Sequence, residues 1–301
     1  MKNGLKDACA LLFFSGIRRT EGSLPVKKLY SLLKLFTLAR ATLNTVFKNP
    51  RPCVPLPDCL NTSWTAQAAR HKRAEGYLNQ YIQYFQERLA ETKWRERCRI
   101  TGFDHLQQAR QSGRPVVLAF CHFGPFFLLR TWLRAAGIPA ASLVGGKSEN
   151  RSKLMQRADR FAPFAEIPTA FSLERLKAAA KFLTAGNTLL IAMDDPAGKQ
   201  MDLPFGTGWT FRMATGAVRL AIRHQAELIP CCIIDEGRWH FRIELGRPVP
   251  RKFLTAESEW RHAGKHLLDE MIPHFQAHPK QCGRNLILCL KQNSSAPPPQ
   301  N

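Results

Sequence analysis

Between residues 24 and 48 the apolar side chains Leu29, Leu32, Leu33, Phe36, Leu43 and Phe47 recur at three- and four-residue intervals. That spacing lines them along one side of an α-helix. The proline-rich stretch after it, "NPRPCVPLPDC", cannot continue a helix and reads as a connector. Residues 65 to 97 return to a helical pattern centred on "YLNQYIQYFQERL". From residue 100 the pattern changes. Short apolar runs ("PVVLAF", "IPAASLV", "TLLIAM", "ELIPCCIID") alternate with helical stretches ("FDHLQQARQ", "PFFLLRTWLRAAG", "SKLMQRADRFA", "LERLKAAAKFLTAG", "GAVRLAIRHQ"), and "WHFRIELGRPV" alternates like a more exposed strand. Apolar runs separated by helices predict an α/β domain with a largely parallel sheet flanked by helices. The pattern divides the chain into an N-terminal helical, membrane-proximal segment with its connector (1–64), an α/β domain (65–290) and a tail (291–301). That tail, ending "NSSAPPPQN", is expected to be disordered.

Charge narrows the partners. Lys and Arg number 44 against 23 Asp and Glu, a formal net charge of +21 and a pI near 10.1. Such an excess favours an anionic partner: nucleic acid, acidic lipid headgroups or an acidic carrier protein. The basic residues are dispersed and no nucleic-acid-binding signature occurs, so nucleic acid is not expected. Lys27, Lys28, Lys34, Arg40 and Lys48 make the first helical segment basic, as for a helix lying on an anionic membrane surface. Its alternative is a helix packed on the main domain. No run approaches the roughly 20 apolar residues that span a bilayer. "ACALLFFSGI" is too short, and no small-residue cleavage site succeeds it. The nine cysteines show no CxxC spacing, so no metal site is expected. They read as small hydrophobes of a reducing compartment.

In a parallel sheet, ligands bind beyond the carboxyl ends of the strands. His122 ends the run "PVVLAFC", and Asp194 and Asp195 end "TLLIAM". "GGKS" (Gly145 to Ser148) imitates a phosphate-binding loop, but Ala141 stands where that motif needs its first glycine. No GxSxG occurs, so a serine nucleophile elbow is not supported.

Several ordered blocks between about residue 76 and residue 285 resemble the bacterial lipid A late acyltransferases (lauroyl and myristoyl transferases) of the glycerolipid acyltransferase superfamily. They are "ITGFDHLQQARQSGRPVVLAFCHFG", "NRSKLMQRADRF", "LLIAMDDPAG", "LPFGTGWTFRMATGAVRLAIRHQAELIPCCI" and the weaker "HPKQC". The resemblance implies transfer of a fatty acyl chain from an acyl-carrier-protein or acyl-CoA thioester, without a cofactor. The acceptor would be a hydroxyl or amine of a lipid or glycolipid at the inner face of the bacterial cytoplasmic membrane. His122 would be the general base, Arg160 a positioning or charge-stabilising group, and Asp194 a third catalytic or structural residue. Phe123, Gly124, Phe127, Asp195, Phe205 and Gly206 would lie beside substrate, and His122 would face an apolar groove with cationic groups at its mouth. The family pattern HxxxxE or HxxxxD supplies a carboxylate to orient the imidazole. Here that position is Phe127. Asp194 or Asp195 replaces the acid in space, or a main-chain carbonyl fixes the tautomer, or the chain is a non-catalytic lipid-binding relative.

Overall fold

The computed structural model describes residues 16–17, 26–46, 57–60, 66–84, 94–145, 166–169, 173–195 and 198–293. In chain order the elements are α1 (Val26–Val46), α2 (Ala66–Tyr84), β1 (Cys98–Thr101), α3 (Phe103–Gln111), β2 (Val116–Phe120), α4 (Leu128–Ala135), β3 (Ala140–Gly145) and β4 (Glu166–Thr169). Then come α5 (Leu173–Thr184), β5 (Thr188–Ala192), β6 (Gln200–Pro204), β7 (Trp209–Ala214), α6 (Gly216–Arg223), β8 (Glu227–Gly237) and β9 (His240–Leu245). The described chain closes with α7 (Trp260–Ala277), α8 (Arg284–Cys289) and β10 (Leu290–Gln292).

Seven strands form the main sheet in the order β1-β9-β8-β2-β5-β3-β4. The five from β8 to β4 run parallel; β9 turns back antiparallel on β8 and carries β1 parallel to itself. The alternation of apolar runs and helices predicts the parallel part of this sheet, because each parallel pair needs a crossover that covers a sheet face. β2 shows the result. All five of its residues are buried. Val117 and Ala119 point to one core, shared with Ala217, Val218, Leu267 and Leu268, whereas Val116, Leu118 and Phe120 point to the other, shared with Leu29, Leu33 and Trp132. The period-two geometry of a strand also separates the adjacent thiols, sending Cys232 to the first core and Cys231 to the second.

Two features depart from the sequence-based expectations. Residues 200–214 carry a strand pair, β6 and β7, to which β10 adds an antiparallel third strand. The expected tail therefore does not begin at 291: Leu290 is buried opposite Phe211, and Lys291 and Gln292 continue the ladder. Residues 294–301 of that tail, and the helix expected around "SKLMQRADRFA", lie outside the described residues. By contrast, α1 follows one of the two readings of its sequence pattern, a helix packed on the main domain. Leu29, Tyr30 and Leu33 are buried among Ile233 and Trp239, and the Arg40 guanidinium lies 4.5 Å from the centre of the Tyr77 ring on α2. The opposite side of α1 leaves Leu32, Leu35 and Leu38 exposed, Leu35 by 66%.

Candidate active site

The register of two neighbouring strands brings the site together. Phe120 at the end of β2 lies opposite Ala192 at the end of β5. Two residues beyond each end stand His122 and Asp194, so parallel pairing carries them to the same place across 72 positions of sequence. The His122 main-chain N–H donates to Asp194 Oδ2 at 2.9 Å, and ring Nδ1 lies 2.8 Å from Oδ1. Asp194 is fully buried. Its turn is anchored by Met193 N–H to the Phe120 carbonyl and Ala214 N–H to the Met193 carbonyl, both at 2.7 Å.

A carboxylate only accepts hydrogen bonds, so Nδ1 carries the proton and Nε2 remains an acceptor in the neutral ring. No described residue bonds Nε2. The ring is held edge-on to Phe126, with centroids 4.5 Å apart, and Phe126 stacks on Phe120. The His122 side chain is 26% exposed, so the imidazole reaches the surface while its acid does not. Burial pushes the imidazole pKa down. The Asp194 charge, its hydrogen bond and the charge of Asp195 outweigh that, and the net direction is up from the ordinary 6.5.

The remaining expected site residues fall in several environments. Asp195 is half-buried beside the dyad and contributes charge to it. Phe127 caps the start of α4 and packs partly buried on the second core, against the Phe126 ring. Phe123 and Phe205, expected beside substrate, have both rings buried in the first core, Phe123 against Phe275 and Phe205 against Phe211. Gly206 is exposed in the β6–β7 turn. Gly124 has φ +55°, and a Cβ there would lie 2.1 Å from the Ile233 carbonyl oxygen. The close approach its missing side chain permits is to the protein's own backbone. Arg160 lies outside the described residues.

Neither of two cavities formed by described residues contains His122, and the expected apolar groove is not one of them. One, of about 270 Å³, is lined by Thr101, His105, Arg247, Glu270 and His274 among others. The other, of about 360 Å³, lies at the carboxyl end of β8 between Tyr30, Lys34, Glu75, Asp235 and Lys280. There the Tyr30 hydroxyl donates to the Asp235 carboxylate at 3.0 Å, and burial with the nearby Asp235 charge pushes Glu75 up to about 7.

Sequence reading missed the residues that grip the histidine loop. Asn79 on α2 donates to the Gly124 carbonyl at 3.2 Å, the Gly124 N–H donates to the Gln281 carbonyl at 2.9 Å, and the Gly283 N–H donates to the His122 carbonyl at 2.6 Å. The one signal, for Gln281 alone, was the weaker block "HPKQC" near the C-terminus.

Residues 80–249 match the family model of the bacterial lipid A biosynthesis acyltransferases. No curated protein matches the chain significantly.

Proposed function

Because the chain belongs to the bacterial lipid A biosynthesis acyltransferase family, we propose that His122 is the general base of acyl transfer and that Asp194 replaces the carboxylate missing at Phe127. The observation that carries the proposal is the paired contact of Asp194 with the main-chain N–H and ring Nδ1 of His122. In the proposed reaction Nε2 takes the proton of an acceptor hydroxyl as its oxygen attacks the thioester carbonyl. The C–O bond forms and the tetrahedral centre collapses with breakage of the C–S bond. The imidazolium then returns the proton to the departing thiolate. Asp194, buried and acceptor-only, keeps Nδ1 protonated and stabilises the imidazolium between the two proton transfers.

The donor is an acyl-carrier-protein or acyl-CoA thioester, and the acceptor a hydroxyl or amine of a lipid A precursor or related glycolipid. The excess of 44 basic over 23 acidic residues suits an acidic carrier and an anionic membrane. No helix among the described residues is long and apolar enough to cross a membrane. Instead, α1 exposes Leu32, Leu35 and Leu38 beside Lys28 and Lys34, a composition suited to peripheral contact with the inner face of the cytoplasmic membrane.

Labelled acyl-carrier-protein and acyl-CoA, each incubated with membrane lipid extract before mass analysis of the products, test the reading. Transfer by the parent protein and its loss in His122→Ala are expected. Full transfer by His122→Ala removes the base. No transfer from either donor, with lipid binding intact, moves the chain to the non-catalytic reading.

A further inference from the structure

His122 is held by more than its acid. The turn Pro279–Gln281 and the next two residues run against the loop 122–124, and each of the three loop residues touches them. Besides the Gly124–Gln281 and Gly283–His122 main-chain bonds, Phe123 and Cys282 form an isolated antiparallel bridge. The approach is close enough that a Cβ on Gly283 would lie 2.2 Å from the His122 carbonyl oxygen. The histidine loop is therefore packed between the Ile233 backbone of β8 on one side and this C-terminal segment on the other.

The Gln281 side chain ties the segment to β8. Its Nε2 donates to the Asp235 carbonyl at 2.9 Å, and its Oε1 accepts the Asp235 main-chain N–H at 3.0 Å. One amide thus satisfies both main-chain groups of one residue, as a neighbouring strand would. Both of its hydrogen-bonding ends are committed to β8, while its own carbonyl holds Gly124. The dyad demands this rigidity. Asp194 meets His122 through both the main-chain N–H and the ring, so a shift of the loop misaligns two bonds together.

We infer that Gln281 is a positioning residue for the His122–Asp194 dyad: by fixing the segment 279–283 to the end of β8, its side chain sets the loop from which the imidazole reaches Asp194. As a statement about turnover this rests on His122 being the base; as a statement about the imidazole it does not.

The test uses the full chain with two substitutions. Gln281→Met keeps side-chain length and removes both hydrogen bonds. Gln281→Glu retains an acceptor for the Asp235 N–H but sets a second acceptor against the Asp235 carbonyl. The primary readout is imidazole ¹⁵N NMR of histidine-labelled protein, with His122 assigned by its loss in His122→Asn. The parent should show His122 as one tautomer, protonated at Nδ1, titrating above the ordinary histidine value. Gln281→Met should show mixed tautomers and a lower pKa. With substrates, kcat should fall on the order of 10- to 100-fold while KM stays within about twofold, as expected when a reacting group is displaced by a fraction of an ångström. The acidic limb of the Gln281→Met pH profile should move down with the imidazole pKa. Gln281→Glu should fall between parent and Gln281→Met. Unchanged tautomer, pKa and kcat in Gln281→Met, with only a lower melting temperature, would make the residue merely structural and overturn the inference. Loss of folded protein in both variants would do the same. If the parent shows no transfer from any donor, the proposed reaction fails while the imidazole measurement still decides the positioning role.

Discussion

Asp194→Asn removes one charge with almost no change of shape, and the hydrogen bonds of the dyad dictate how the ring responds. The carboxylate accepts two bonds from His122, one from the main-chain N–H and one from Nδ1. Asparagine has one acceptor and one donor end. The main-chain N–H cannot reverse its polarity, so it retains the side-chain oxygen. The amide NH₂ then faces Nδ1, which must become an acceptor. The ring proton moves to Nε2, the atom that has to be unprotonated to take a proton from substrate. Disabling the orienting acid in this way in a serine protease costs about 10⁴-fold in kcat, roughly 5.4 kcal/mol of barrier. A loss on the order of 10³- to 10⁴-fold in kcat with little change in KM is expected here, because the interaction strengthens as the imidazolium forms.

The assay is the rate of acyl transfer against substrate concentration, paired with imidazole ¹⁵N shifts. Stability supplies a second check with a defined sign. His122 titrates above its ordinary value in the fold, so the pairing stabilises the protein below the unfolded pKa near 6.5 and loses that contribution as pH rises through the folded pKa. Asp194→Asn should therefore lower the melting temperature more at pH 5 than at pH 9. Transfer within about tenfold of the parent, with Nε2 seen protonated, would refute the assignment of base and acid together.

The pH profile of the parent should have its acidic limb above 6.5, since the base works only when neutral and Asp194 holds its pKa up; a midpoint below 6.5 contradicts that balance. Phe127→Glu should not raise activity, because Nδ1 is already bonded to Asp194, and thermal denaturation should show a loss of about 2 kcal/mol or more from a carboxylate set against the core. Gly124→Ala should lose about 1–3 kcal/mol from the positive φ alone, and more from the contact with Ile233, read by denaturant unfolding. Leu32→Ser with Leu35→Ser should weaken sedimentation with anionic vesicles without lowering the melting temperature, since both side chains are exposed. Removing the whole of α1 is a poor substitute, because it strips Leu29, Tyr30 and Leu33 from the core.

The sheet was legible where burial on both faces leaves an uninterrupted apolar run, as in "VVLAF" and "TLLIA", whose strands are buried along almost their full length. β6 was not. Leu203 is its only buried residue, so the strand has neither a continuous run nor strict alternation. β10 was hidden by composition, three ordered residues beside a polar, proline-rich tail. The site was legible in its members but not in their roles. Phe123 and Phe205 sit in blocks that resemble the family, and proximity in sequence does not say which way a ring turns. Their burial comes from Phe275 and Phe211, from 6 to 152 residues away.

If Asp194 is the acid, as proposed, the point at which the site depends on the fold also moves. In an HxxxxE arrangement histidine and carboxylate ride on one loop and the helix next to it in sequence. In this chain the pair is spaced by 72 residues and is aligned by the register Val116↔Thr188 through Phe120↔Ala192. A one-residue slip of parallel strands would send His122 and Asp194 to opposite faces, so an assembled site implies a correctly paired sheet. The proposed pairing also accounts for an apolar residue at 127. With Asp194 beyond β5 as the proposed acid, the start of α4 needs no carboxylate, and Phe127 packs on the core beside the Phe126 ring that walls the imidazole.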